Sequence, residues 1–214
     1  SVLFEVKARF DEENNMKEAQ RLQKAGCFVI YGVGMLKTHT KLLLIVRREG
    51  EKVKRFVHMS SGNYNEDTAR LYTDIGLMTS DEGYANDVQE FFNVITGHSV
   101  PEDYDNLITA PTQMRRELIA LINKERENAV AGKPSGIVIK LNSLQDKDAI
   151  LSLYEASKAG VPIKLIVRGI CCLRPGRQGL SENITVRSIV GEYLEHSRIF
   201  YFHNEGDPKV YCGS

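Results

Sequence analysis

The chain has 214 residues, enough for one large core or two small ones, of which 42% are hydrophobic and 26% charged. Its 28 Lys plus Arg balance 28 Asp plus Glu, so no overall field draws nucleic acid or a membrane to it, and any basic site has to be local. The longest apolar run, Leu42 to Val46, is far too short to span a bilayer, and no signal-peptide pattern is read. Cys27, Cys171, Cys172 and Cys212 lack CxxC spacing. They suggest neither a zinc knuckle nor a disulfide framework, but small core residues in a reduced, intracellular setting. Both ends fall beside strand-like runs, which reads as a piece of a longer protein.

Val2 to Ala8 predicts a strand, and Asp11-Glu12-Glu13 are acids suited to the start of a helix. Met16, Ala19 and Leu22 give its apolar stripe and Gly26 its stop. Phe28 to Tyr31 predicts a short buried strand. Thr38 to Arg48 and Val53 to Met59 predict a hairpin turning at Glu49-Gly50-Glu51, followed by a turn segment, Ser60 to Asn65. Val88, Phe91, Phe92 and Ile95 line a helix that ends near Gly97. Periodicity fades from His98 to Pro111, which divides the chain into domains 1–104 and 105–214. Thr112 is the expected cap of a long helix with Met114, Leu118, Leu121, Ile122 and Ala129 as its stripe and Gly132 as its stop. A strand over Gly136 to Leu141, a helix over Asp146 to Ala159 and a strand over Ile163 to Val167 follow. Thr185 to Ile189, Ser197 to Phe202 and Lys209 to Tyr211 are further strands, and the alternation argues for α/β units.

The halves repeat one another. A strand ends in Arg9 and later comes Val33-Gly34, with His39 and Lys41; a strand ends in Arg168 and later comes Val190-Gly191, with His196 and Arg198. Each histidine stands five residues after its Val-Gly glycine and two before its cation, and the arginine-to-histidine spacings are 30 and 28. In a strand, residues two apart share a face, so each histidine and its cation are expected to point the same way. A Gly/Ser element follows each time, Ser61-Gly62-Asn63 and Gly213-Ser214. A duplicated fold by itself repeats apolar patterns. Matched histidines and cations, costly when buried unpaired, point to function.

A neutral imidazole is a nucleophile towards phosphorus, and a second can act as acid or base near neutral pH. Phosphoryl transfer spreads negative charge over oxygens, which Arg9, Lys41, Arg168 and Arg198 could neutralise. Backbone N–H groups of Ser61-Gly62-Asn63 could add an anion nest. No carboxylate cluster stands out as a metal site, so Mg²⁺ is expected to arrive on a nucleotide's phosphates.

His-x-Lys followed by a Gly/Ser/Asn turn, present twice, resembles the phospholipase D superfamily. That superfamily's motif has an Asp where this chain has Val46, and the second copy has Arg198 in place of Lys. Five segments resemble the C-terminal half of the bacterial polyphosphate kinases more closely. They are Val6 to Glu12, Lys37 to Lys41, Gly62 to Asp74, Leu165 to Gly169 and Tyr193 to Arg198. The resemblance implies two tandem phospholipase D-like α/β/α sandwich domains related by internal duplication. It also implies reversible transfer of the terminal phosphate of ATP to polyphosphate through a phosphohistidine, with Mg²⁺. By position His39 is the phosphorylated histidine and His196 the second one, on nucleotide phosphate. Tyr72 matches a residue at the adenine and Arg168 a phosphate ligand. Arg9 lies on phosphate oxygens in the Mg²⁺ region, since an arginine cannot ligate a cation. The implied partners are ATP, ADP and polyphosphate, the missing N-terminal domains and a homo-oligomeric parent, without nucleic acid. The implied setting is cytoplasmic, or peripheral to the inner membrane.

His58 reads as a satisfied structural histidine, and His98 and His203 as solvated. Two other readings stay open: a phospholipase D-like phosphodiesterase, and a piece that binds polyphosphate or ATP without turning it over. The isolated piece is expected to have little or no activity.

Overall fold

In a computed structural model, residues 1–5, 12–34, 36–99 and 103–214 are described. The first strand is seen as β1 (Val2–Phe4) and Glu5 is no longer part of it; Val6 to Ala8 of the expected strand, and Arg9, lie outside the described residues. Helix α1 (Glu12–Lys24) opens on Glu12 and Glu13 and closes on Arg21 and Lys24, the charge order that complements the helix dipole. Strand β2 (Val29–Tyr31) pairs parallel with β1. It is less buried than expected, with Phe28 63% and Tyr31 43% exposed, because a two-stranded pair has too little neighbouring structure to cover both faces.

Strands β3 (Leu42–Glu49) and β4 (Lys52–Ser60) form the expected hairpin. Strand β3 begins at Leu42 rather than Thr38, so His39 and Lys41 precede it. Three further elements carry no strong periodicity in the sequence. Helix α2 (Glu66–Leu71) is capped by Asn65, whose side chain accepts from the Asp67 and Thr68 amides. Strand β5 is Tyr72–Thr73, and β6 (Gly76–Thr79) adds antiparallel to β4. Helix α3 (Glu82–Ile95), capped by Asp81, closes a small core of Val57, Ala85 and Val88 with Leu42, Leu44, Met59, Phe92 and Leu107.

The stretch without periodicity is held in place by side chains. Buried Asp87 accepts from the Asn106 and Leu107 amides at 2.6 and 3.1 Å. Buried Gln113 accepts from the Thr109 hydroxyl at 3.0 Å and donates to Asp103 at 2.7 Å. Helix α4 (Met114–Val130) therefore starts without the Thr112 cap expected: Gln113 occupies the cap position and its side chain is already committed, while the Thr112 hydroxyl lies 3.3 Å from that of Thr109.

The second half holds the main core. Strands β7 (Ile137–Leu141), β8 (Ile163–Val167) and β9 (Ile184–Arg187) run parallel, with helix α5 (Lys147–Lys158) connecting β7 to β8. Short β10 (Leu194–Glu195) precedes β11 (Arg198–Phe202) and β12 (Lys209–Gly213), an antiparallel hairpin on the other side of β7. The sheet order is β12-β11-β7-β8-β9. Ile122, Ile137, Leu153, Ile163, Leu165, Ile184 and Phe202 are almost wholly buried, each contributing about 1.5–3 kcal/mol. Both halves thus contain a parallel strand–helix–strand unit and, further on, an antiparallel hairpin, with β9 and β10 between the two in the second half. Glu125, buried on α4, accepts from the Gly136 and Asn204 amides at 2.8 and 2.6 Å and so fastens the helix to the start of β7.

Two residue expectations are corrected. Cys172 and Cys212 are exposed and Cys27 and Cys171 half-buried; Cys212 lies on edge strand β12 and Cys172 in the loop after β8, places with cover on at most one side. His203 is partly sheltered, its Nδ1 buried without a partner, because the residue packs beside Gly136.

Candidate active site

The halves meet through backbone. Strands β5 and β10 pair in parallel, Tyr72 opposite Leu194 and Thr73 opposite Glu195. The pairing continues as the His196 amide donates to the Thr73 carbonyl at 3.2 Å. It sets Tyr72 and Asp74 of the first half beside His196 of the second.

His39 lies in the irregular segment ahead of β3, where the Thr38 amide donates to Glu5 at 2.6 Å and the Ser60 amide to the Lys41 carbonyl at 3.0 Å. Lys41 is almost fully buried. Its Nζ lies 2.9 Å from His39 Nδ1 and 3.3 Å from Nε2, and donates to the His39 carbonyl at 2.6 Å. The Ser214 hydroxyl also donates to that carbonyl, at 2.9 Å. Partial burial of the ring, then the positive charges of Lys41, Arg198, His196 and Lys37, push the His39 pKa down to about 4. The imidazole is neutral at neutral pH and keeps its lone pair. Burial and the Arg198 charge bring Lys41 down to about 8, against the opposing pull of Asp74.

His196, also buried, donates from Nδ1 to Asp74 Oδ1 at 2.7 Å. The Ser61 hydroxyl donates to the same oxygen at 2.7 Å and itself accepts the Ile75 amide at 3.0 Å. Carboxylate, tautomer and ring orientation are fixed together, leaving Nε2 for a ligand. The Tyr72 ring packs against His196 with centroids 4.8 Å apart. Burial, helped by the positive charge of Arg198, outweighs the Asp74 hydrogen bond, so the His196 pKa is lowered. Arg198 is pushed down by its own burial and by neighbouring Arg168, at the end of β8. The result is two neutral imidazoles among the cations Lys41 and Arg198, with Arg168 beside Arg198 and Asp74 as the carboxylate near Lys41, His196 and Arg198. Gly62 is required there: a Cβ at that position would lie 2.5 Å from Asp74 Oδ2.

The expected residues His39, Lys41, Tyr72, His196 and Arg198 come together, with Arg168 joined to them through Arg198, whereas Arg9 lies outside the described residues. Two geometric expectations are corrected. Neither His39 nor His196 lies within a strand. The cations reach their histidines by folding back: Arg198 Nη1 donates to the His196 carbonyl at 2.8 Å, as Lys41 does to that of His39. Nor is Ser61-Gly62-Asn63 a free anion nest. The Ser61 amide donates to the Ile75 carbonyl and the Gly62 amide to the Ser60 hydroxyl, both at 2.9 Å, so the turn holds Asp74 instead. His58 has its partner, the Tyr64 hydroxyl at 2.7 Å. Sequence reasoning missed Asp74 as a site residue and gave Ser61 only a backbone role, as part of the anion nest. Asp74 stands two residues after Tyr72, placed by a short helix and strand that the periodicity does not announce.

A duplicated phospholipase D-like α/β fold with paired histidines among cationic side chains defines a class, and comparison with known proteins narrows it. Residues 1–101 match the family model for polyphosphate kinase C-terminal domain 1 and residues 107–214 that for C-terminal domain 2. The chain belongs to the polyphosphate kinase family. It is 53% identical over its whole length to the polyphosphate kinases of Synechocystis sp. and of Staphylococcus haemolyticus, spanning 29% and 30% of those proteins. The crystal structure of polyphosphate kinase from Porphyromonas gingivalis superposes with a TM-score of 0.87 at 43% identity, over 99% of this chain and 35% of that one. No helix among the described residues is long and apolar enough to cross a membrane.

Proposed function

We propose that this chain carries the transfer centre of an ATP–polyphosphate phosphotransferase, in which His39 takes up the terminal phosphate of ATP and hands it to polyphosphate. The observation that carries the reading is a neutral imidazole beside a buried ammonium, facing a second imidazole locked on a carboxylate among guanidinium groups. The His39 lone pair attacks the terminal phosphorus; the N–P bond forms as the bond to the bridging oxygen breaks, and ADP leaves with that electron pair. A terminal oxygen of polyphosphate then attacks the same phosphorus and His39 departs. Lys41 rests on the ring nitrogens, and phosphoryl oxygens are the stronger acceptors. An entering phosphate draws the ammonium onto itself and frees the lone pair.

Arg168 and Arg198 hold the oxygens that gather charge, and Tyr72 lies toward the base of the nucleotide. His196 contacts a nucleotide phosphate through Nε2; an anion there offsets the surrounding positive field and favours the protonated ring, which then donates to the leaving oxygen. The donor set does not suit a protein-held Mg²⁺. No group of three His, Cys, Asp or Glu among the described residues could hold one, and the side chains around the histidines are mostly cationic, so in this reading the ion travels on the nucleotide's phosphates. The chain spans about three tenths of its relatives, and by itself it turns over little or no substrate. The setting is cytoplasmic and the parent a homo-oligomer.

The test is to incubate the full-length parent with γ-labelled ATP and Mg²⁺ and look for acid-labile label on protein. Label is expected, and none in His39→Ala. Acid-stable label, or label that survives the substitution, would overturn the assignment; hydrolysis of a phosphodiester without nucleotide would favour a phospholipase D-like enzyme instead.

A further inference from the structure

His196 sits on a segment with little regular structure of its own, since β10 is two residues long and ends at Glu195, and β11 resumes at Arg198. Something has to fix this segment against the second half's sheet while β5 draws it to the first. The side chain that does so comes from β7. Lys140, in register with Ile199 of β11 and Ile166 of β8, reaches Glu195 Oε2 and Ser197 Oγ, both at 2.7 Å. These are the residues on either side of His196. One ammonium therefore grips both neighbours, with the His196 ring engaging Asp74 and Tyr72 of the first half. The pair is sheltered, with side-chain exposures of 14% for Lys140 and 28% for Glu195. Glu195 also accepts from the Thr73 side chain, and these bonds, that from Lys140 first, hold its carboxyl below the usual range. Lys140 thus connects through Glu195 to β5 itself, the strand that carries Tyr72 and leads into Asp74.

We infer that Lys140 is a positioning residue for phosphoryl transfer: with Glu195 and Ser197 it forms a clasp behind His196 that holds the imidazole on Asp74 and couples the second half's sheet to the inter-half strand pair. Sequence alone could not select it. Lys140 is a charged residue inside an apolar strand, and its partners lie 55 and 57 residues away. The inference rests on the reading of His196 as a member of the transfer site.

The experiment is a double-mutant cycle in the full-length parent enzyme, combining Lys140→Met with His196→Ala. Methionine keeps the length of the stem and removes the donor. Expected is a fall in kcat of about 10- to 100-fold for Lys140→Met, the order of loss that follows displacement of a reacting group by about 1 Å. KM for ATP should change less than about threefold, and Lys140→Arg should restore part of the loss. In the His196→Ala background Lys140→Met should have no further effect. Should the methionine variant fail to fold, Glu195→Gln, which keeps an acceptor for Lys140 but removes the charge, must show the same dependence on His196 with a smaller fall. An undiminished effect of either substitution in the His196→Ala background, or wild-type kcat in both single variants, overturns the clasp while leaving the site reading intact. Wild-type turnover in His196→Ala alone overturns the site reading, and with it the functional role of Lys140.

Discussion

Asp74→Asn is the substitution that weighs most on this site, because it changes one charge while keeping shape. The asparagine carbonyl can still accept from Ser61 and from His196 Nδ1, the two contacts at 2.7 Å. What is lost is the carboxylate's hold on an imidazolium. At about 4 Å between charge centres and an effective dielectric of about 20, that attraction is about 4 kcal/mol, and the desolvation of both partners offsets part of it. Hydrogen bonds to charged groups net about 1.5–3 kcal/mol, and side-chain exposures of 8% and 20% for His196 and Asp74 place this pair in that class. The loss corresponds to a fall in kcat of about 10- to 150-fold. KM for ATP should change less, since Arg168 and Arg198 remain. The assay is steady-state transfer from ATP to polyphosphate by the full-length parent, with acid-labile label on His39 measured alongside. Turnover within twofold of wild type, or a full Asp74→Asn effect persisting in a His196→Ala background, would refute the reasoning.

Two further outcomes follow from the same geometry. The free-enzyme pH profile, read as kcat/KM, should rise as His39 loses its proton near pH 4 and fall as Lys41 loses its charge near pH 8. Lys41→Arg should carry the basic limb out of range, and a limb that stays near pH 8 in that variant would exclude Lys41 as its source. Gly62→Ala should displace Asp74, because the new methyl would lie 2.5 Å from Oδ2 and 2.7 Å from Cγ. Activity should then fall at least as far as in Asp74→Asn, and a variant of full activity would show that Asp74 need not stand where it does.

The sequence shows the strong periodicities and the duplicated histidines, but little of what connects them. Helix α5 and strands β7 and β8 were readable within a residue or two, since their apolar residues face a large core and their ends carry Asp146 as a cap and Gly160 as a stop. Helix α2 and strands β5 and β6 were not, because they are short and packed mainly by their neighbours. The histidines were found by their spacing, yet the expectation that each shares a strand face with its cation failed. Lys41 and Arg198 are held by backbone carbonyls of the irregular segments, which no period-two pattern encodes. Asp74 was invisible for another reason. Its partner lies 122 residues away, and nothing local distinguishes it from any acid in a turn.

This division explains how a duplicated fold acquires unequal histidines. The duplication repeats each histidine with its cation, and in both halves the cation turns back to the carbonyl of its own histidine. The asymmetry comes from elements between those repeated pieces. Helix α2 and strand β5 place Asp74 and Tyr72 on His196, while among the described contacts His39 meets an ammonium and a hydroxyl. Burial, then the surrounding positive charge, keeps His39 neutral, while His196 is fixed on a carboxylate; in the proposed function these surroundings suit His39 to be the nucleophile and His196 to accept positive charge when an anion arrives. Exchanging these surroundings should therefore exchange the roles. Under the proposed reading, a carboxylate placed beside His39 should favour its protonated form and weaken it as a nucleophile, so the acid-labile label should fall even with both imidazoles kept.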